Sequence, residues 1–517
     1  MSLSSAFNII NSSFNANASQ TAAISSNISN ASTTGYTLKT ANLATNSYGG
    51  VEVSSITRAT NVALLEQMLA ANSTSAQQSA LANGLTQLSA TVNDSTSVSS
   101  SSSTTTASGQ SPSAMLANLD SALQNYEASP SDATVAQSVI TAASQLTSSL
   151  NSATATVQQV RSQADAGMAT SVATINSLLG QFQTVNNTIV SGLQSGADVT
   201  DAEDSRDNIL SQLSQQIGIS TVTSANGSES IYTDSGVTLF QTTARAVTFT
   251  ATPTLTAGAS GNAVIVDGVP ITGSSSPMAI QSGALAGLAT LRDTVAPQYQ
   301  AQLDQIASGL INAFAETNQA NPATPDPLPG LFTYPGVTSA TVLPTATTVP
   351  AGLAGQIEVN ASVDPSQGGN ANLLRDGGIA NTTAGEPTGD TDYTYNTTGA
   401  ASYTTRIQQM ISGISATQSF DPTAGAGSSD SLTAYADASV SWVQGQYQQA
   451  SDQATSSSAL ATTASQALSS ATGVSLDNET SQMLSLENSY QTTAKLLTTV
   501  NNMFSSLLTA VTAVLPA

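Results

Sequence analysis

Leu476, Met483, Tyr490, Leu497, Phe504 and Val511 recur seven apart near the C-terminal end of this chain, and Leu486, Val500 and Leu507 lie three positions after members of that series. A heptad repeat makes one stripe of a helix apolar and requires another helix to cover it. At the opposite end Leu3, Phe7, Ile10 and Phe14, then Ile24, Ile28 and Ala31, advance in steps of three and four, with polar Asn17 and Thr21 in the middle slots. Two such seams at the extremes of a 517-residue chain point to coiled-coil helices that pair with each other. Ser, Thr and Asn crowd both segments, and each costs about 0.5 kcal/mol in a helix relative to Ala, so neither helix is expected to be stable alone. Both ends are expected to be disordered in the monomer and to order when a partner buries their seams.

The interior is arranged symmetrically between these ends. Residues 61–88 and 114–193 read as long helices, the second stretch broken at Pro130, and a further helix is expected from about 283 to 318. Residues 217–275 change to β-branched alternation with Gly and Asn turns, and residues 321–400 are rich in Pro and Gly. The expected fold is a multi-domain α+β chain. Residues 1–35 and 474–517 form a terminal coiled-coil unit, and 36–216, 276–320 and 401–473 a helical bundle. Residues 217–275 are a β-rich insertion, and 321–400 an outer β/loop region. A Ser/Thr tract at 94–113 reads as a linker or loop. A chain laid out in this way runs to a far tip and returns.

Composition removes most chemistry. There is no Cys and no His, so thiolate nucleophiles, the commonest general base and the usual zinc ligands are absent. A Ser–Lys dyad would need Lys39 or Lys495, and neither sits in an S-x-x-K pattern. No enzyme activity, cofactor or metal site is expected. The acidic cluster "DVTDAEDSRD" at residues 198–207 lacks the spacing of a calcium loop and suits a helix N-terminus. A net charge of −23 would repel a phosphate backbone, so nucleic acid is not an expected partner. No membrane span and no cleavable signal are read in the sequence. Trp442, the single Trp, is expected in a core.

The first seam ends in "NISNASTTGY", residues 27–36, before the first charged residue, Lys39. A seam helix that leads through Asn27, Asn30, Thr33, Gly35 and Tyr36 resembles the N-terminal signature of the axial proteins of the bacterial flagellum. The stretch "GVSLDNETSQMLSLENSYQTTAKLLTTVNNMFSSLL" resembles their C-terminal signature. Residues 204–240 and 282–320 resemble the central motif and the long second helix of the FlgK-type hook–filament junction family, and residues 116–150 fit its helical domain. The long Ser/Thr tract and Leu486, at a position where an aromatic residue is common, depart from the pattern.

The resemblance implies a structural subunit of the flagellum that assembles as a ring at the distal end of the hook. Implied partners are the hook protein, the second junction protein, other copies of itself, and a cytoplasmic export chaperone at the C-terminal helix. It also implies export by the flagellar type III route to an extracellular position. The expected assembly seams are Leu3, Phe7, Ile10, Phe14, Ile24 and Ile28 on one helix, and Leu476, Met483, Leu486, Tyr490, Leu497, Val500, Phe504 and Leu507 on the other. Residues 27–36 are the corner where the seam meets the body. A hook protein or a flagellin is the alternative within the class; a secreted adhesin or surface-layer protein is the alternative outside it.

Overall fold

The computed structural model describes residues 3–47, 49–94, 109–273, 275–321, 326–387 and 389–514. Most of the Ser/Thr tract lies outside them. The chain begins with helix α1 (Leu3–Asn30), followed by an antiparallel hairpin of β1 (Lys39–Thr45) and β2 (Val51–Arg58) and by α2 (Val62–Ser89). Helix α3 (Pro112–Ala128) starts on Ser111, whose hydroxyl accepts from the Ala114 N–H, with Pro at the first helical position where no N–H is needed. Pro130 ends the pair's first arm, and Asp132 caps α4 (Ala133–Ser195) by accepting from Thr134 and Val135. At 63 residues α4 is roughly 95 Å long.

Helix α5 (Thr200–Gln216) leads into two small antiparallel sheets. The first holds β3 (Ile219–Thr223), β4 (Glu229–Thr233) and β5 (Thr238–Phe240); the second holds β6 (Val247–Thr248), β7 (Ile265–Val266) and β8 (Val269–Pro270). These strands are not a core of their own. Ile231, Phe240, Val247 and Val266 share one hydrophobic cluster with Ile175, Leu179 and Phe182 of α4, Leu210 and Leu213 of α5 and Met68 of α2. Their alternation marks which strand faces are apolar; the second half of α4 supplies what they pack against.

The helix expected over 283–318 is shorter and interrupted. It runs as α6 (Ala284–Thr290), a π-helical turn (Leu291–Val295) and α7 (Ala296–Ala313), and Glu316 already bridges to Leu328 as an isolated β pair. Among the described residues of the region after it, regular strands are confined to β9 (Phe332–Thr333) and β10 (Glu358–Val359), with the short helix α8 (Leu373–Asp376). The chain then returns through α9 (Thr405–Ser415) and the hairpin β11 (Thr417–Ser419) and β12 (Ser429–Ser431). Helix α10 (Leu432–Thr472) lies along α2, and α11 (Leu476–Val514) lies along α1.

Leu146, Val157 and Val160 of α4 belong to a second core with α3, α7, α9 and the start of α10, against which Trp442 is half-buried. The two cores meet on α4 between Ala164 and Met168. A buried charge network occupies that boundary. Arg292, in the π-helical turn and 0% exposed, pairs with Asp165 at 2.5 Å and with Asp293 at 2.8 Å, and donates to the Asn262 carbonyl. Arg161 donates to the carbonyls of Arg292, Thr256 and Ala259, and Asp165 accepts from the Thr252 N–H at 2.7 Å. These bonds tie the loop at 249–262 to the spine.

Two other buried acids hold the outer loops. Asp304 of α7 accepts from the N–H groups of Gly352 and Ala354 at 2.8 and 2.9 Å. Glu316 accepts from Ala380 at 2.9 Å and faces Arg406 at 3.9 Å, too far for a hydrogen bond. Side-chain carboxylates thus satisfy backbone donors that in a strand-rich domain would be satisfied by a ladder. Burial pushes Glu316 up to about 7, against the opposing pull of Arg406 and the backbone donors, and Asp304 up to about 6. A carboxyl raised in the folded state contributes stability that is complete below its unfolded pKa and is lost as pH rises through the folded one. Between pH 4.5 and 7 Glu316 is therefore expected to remove on the order of 3 kcal/mol. Denaturant unfolding of Glu316→Gln across that window should show a flatter pH dependence than the parent chain; an unchanged slope would refute the assignment.

Candidate functional site: the terminal helix pair and its corner

Helices α1 and α11 pack antiparallel. Asn27 meets Glu479, Asn17 donates to the Ser489 hydroxyl at 3.3 Å, and Phe14 stands edge-on to Tyr490 with ring centroids 5.0 Å apart. Leu3 lies beside Thr499, Met503 and Leu507 in one shallow groove. The partners' numbers fall on one side as they rise on the other, so these contacts describe a single register.

Burial along the seam is uneven. Ile10 and Ile24 are buried, Leu3, Phe14 and Ile28 half-buried, and Phe7 exposed. On α11, Met483, Leu486, Leu497 and Val500 are half-buried on the side of α1. Leu476, Tyr490, Phe504 and Leu507 are exposed at 50–56%, as are Leu508 and Val511 at 58% and 51%. The pair thus half-covers the α11 stripe at Met483, Leu486, Leu497 and Val500, and leaves Phe504, Leu507, Leu508 and Val511 open beyond them. No charged residue precedes Lys39 or follows Lys495, so the far ends of both helices are uncharged.

The corner is built on Asn27, which is 1% exposed. Its Oδ1 accepts from the Lys39 N–H at 3.0 Å and from the Tyr36 hydroxyl at 2.9 Å; its Nδ2 donates to the Lys39 carbonyl and to Glu479 Oε2, each at 2.9 Å. A buried amide with all four bonds made is strongly specified, because any replacement leaves donors or acceptors stranded. Asn30 closes the helix end by bonding back to the Ser26 carbonyl and accepting from the Thr33 hydroxyl. Gly35 has φ of 79°, and a Cβ there would lie 2.1 Å from Asn208 Oδ1. Both backbone and space therefore require glycine. The corner motif is one connected structure.

The acidic cluster completes it. Lys39 pairs with Asp201 and, at 3.8 Å, with Asp204. Thr37 donates its hydroxyl to Asp204 at 2.6 Å. Arg58, across the hairpin from Lys39, pairs with Glu203, Asp204 and Asp207 at 2.9, 3.2 and 2.6 Å. The carboxylates at the start of α5 thus neutralise the two cations at the base of the hairpin. The sequence offered no sign of which basic residues they would meet. Among the described residues no group of three or more acids is placed to hold a metal ion, and no helix is long and apolar enough to cross a membrane. Glu479, Asn17 and Ser489 are the site residues that a search for apolar periodicity passes over, since they interrupt or flank the stripe it counts.

Residues 100–322 match the model of the flagellar hook-associated protein FlgK helical domain, and residues 464–510 match that of the flagellar basal body rod FlgEFG protein C-terminal region. The chain is 28% identical over 320 residues to flagellar hook-associated protein 1 of Salmonella typhimurium strain LT2 and to that of Salmonella typhi. The helical-domain match and these relatives together support a FlgK-type flagellar protein. The matches cover 58% of this chain, which spans about half (54%) of the length of those relatives. A solved structure of the flagellar hook junction protein FlgK from Burkholderia pseudomallei matches 53% of this chain and 47% of its own at 22% identity, with a TM-score of 0.41. The FlgK-type family is structural, and the similarity supports a flagellar structural component. The helical-domain match spans α3 to α7, and the rod-type match falls on the end of α10 and on α11.

Proposed function

We propose that this chain forms the junction between hook and filament, assembling as a ring at the distal end of the hook through its paired terminal helices. The observation that carries the reading is the open stripe of Phe504, Leu507, Leu508 and Val511 on an uncharged helix end. Apolar residues at helical spacing are costly in water and are covered when helices of neighbouring copies pack side by side. Charge would be expensive in such a buried wall, and there is none. The corner then transmits the position of the buried helices to the body outside them.

On this reading the partners are the hook protein on one side, the second junction protein on the other, and further copies of the chain between. The exposed C-terminal helix is also what a cytoplasmic chaperone would hold before export. Weak terminal helices and the lack of Cys suit a chain threaded unfolded through the flagellar type III apparatus to the cell exterior. Deleting the gene is expected to leave hooks without filaments and unpolymerised flagellin in the medium. Absence of hooks would identify a hook protein instead, and absence of flagellin from the medium a filament subunit; normal filaments would refute the proposal.

A further inference from the structure

We infer that the buried Asn27–Glu479 pair, seconded by Asn17–Ser489, selects the register of the terminal helices and so keeps the far stripe of α11 uncovered. Apolar contact between α1 and α11 does not select it, since a shift of one heptad keeps the two stripes facing each other. If α1 slid outward along α11 by one heptad, roughly 10 Å, Phe14 would leave Tyr490 for Leu497 and Phe7 would reach the level of Phe504. Leu3 would move past Leu507 toward the exposed Leu508 and Val511. At the far end of α11 the slipped pair would gain burial, because in the observed register these residues stand half in water; the packing of α1 on the hairpin, where the Val51 N–H donates to Ser12 Oγ, works against the shift. The turn at residues 31–38, extended, is long enough to permit the shift.

The polar partners oppose it. One heptad outward, Asn27 would face Leu486 in place of Glu479, and Asn17 would face Leu496 in place of Ser489. Both amides would lose their partners against leucine. Asn27 would also be pulled from Lys39 and Tyr36, which join it to the body. A single buried polar residue in an apolar helix pair is known to fix register in this way, at some expense of stability. The use of the uncovered stripe rests on the assembly proposed above; the register itself does not.

The chain has no Cys, so introduced pairs report register without background. Full-length chain carrying Phe14→Cys with Tyr490→Cys reads the observed register; Phe14→Cys with Leu497→Cys reads the slipped one. Treated with a short bismaleimide, the first pair is expected to cross-link about tenfold more than the second. Glu479→Gln, which keeps an acceptor for the Asn27 amide, should preserve that ratio. Glu479→Leu, and separately Asn27→Leu with Glu479→Leu, should bring the two yields to within about twofold or reverse them. Retention of the tenfold preference in both leucine variants would overturn the inference. So would loss of both cross-links in both variants, since the polar pair would then be needed for pairing itself. Either result would leave the junction reading standing, because the cross-links are a property of one chain.

Discussion

Arg292→Ala is expected to lower the unfolding free energy of the helical body by about 3–5 kcal/mol, the largest effect of any single substitution considered. Arg292 is fully buried, and its removal leaves the Asp165 carboxylate inside the protein with the Thr252 backbone and hydroxyl as its remaining partners. It also strands the Asn262 carbonyl. Because the network sits where the two cores join on α4, the loss should loosen the loop at 249–262 as well as the π-helical turn. Chemical denaturation followed by circular dichroism measures the first effect, and hydrogen exchange at the Thr252 N–H the second. The double variant Arg292→Met with Asp165→Leu removes both charges and is expected to be less destabilised than Arg292→Ala alone. If the single variant lost less than about 1 kcal/mol, the pair would not be the tie between the cores that its burial implies.

The second large effect concerns assembly and leaves the fold untouched. Phe504→Asp combined with Leu507→Asp places charge on residues that are 54% and 52% exposed in the single chain, so unfolding of the body should change by no more than about 0.5 kcal/mol. In a packed layer of helices the same charges would be buried at a cost of several kcal/mol each, repeated at every copy. Cells carrying this variant are expected to lose swimming and to release flagellin monomer, while Phe504→Leu should swim normally. Wild-type swimming by the double variant would show that the stripe is not an assembly contact.

The helices were largely legible in the sequence because their apolar spacing and their punctuation agree. Pro130 and Asp132 mark the α3–α4 break, and Asn61 caps α2 through the Leu64 N–H. The end of α7 was misread because Phe314 continues the apolar stripe, while Glu316, two residues on, is drawn into bonds with residue 380 and its neighbours. Those bonds join segments 64 residues apart, and no local pattern announces them. The outer region at 321–400 shows the same limit: its loops are held by Asp304 and Glu316, acids that look like ordinary helix-surface residues in sequence.

At the terminal site the heptads of α11 identified the stripe but not which part of it α1 would cover. Periodicity is unchanged by a shift of one period, so it specifies a face and leaves the register open. Asn27, Gly35 and Tyr36 stood out as a motif with Lys39 just beyond it, yet two residues that make the motif intelligible, Glu479 and Asn208, come from distant parts of the chain. The sequence by itself determined the class of fold, the uncharged and apolar character of both ends, and the absence of Cys and His chemistry. Only the tertiary structure decided which cations the acids of α5 neutralise, where the two cores divide, and which residues lock the helix pair. The reason is physical: helical periodicity and composition are carried by neighbours along the chain, whereas the satisfaction of a buried polar group depends on whatever the fold brings within about 3 Å of it.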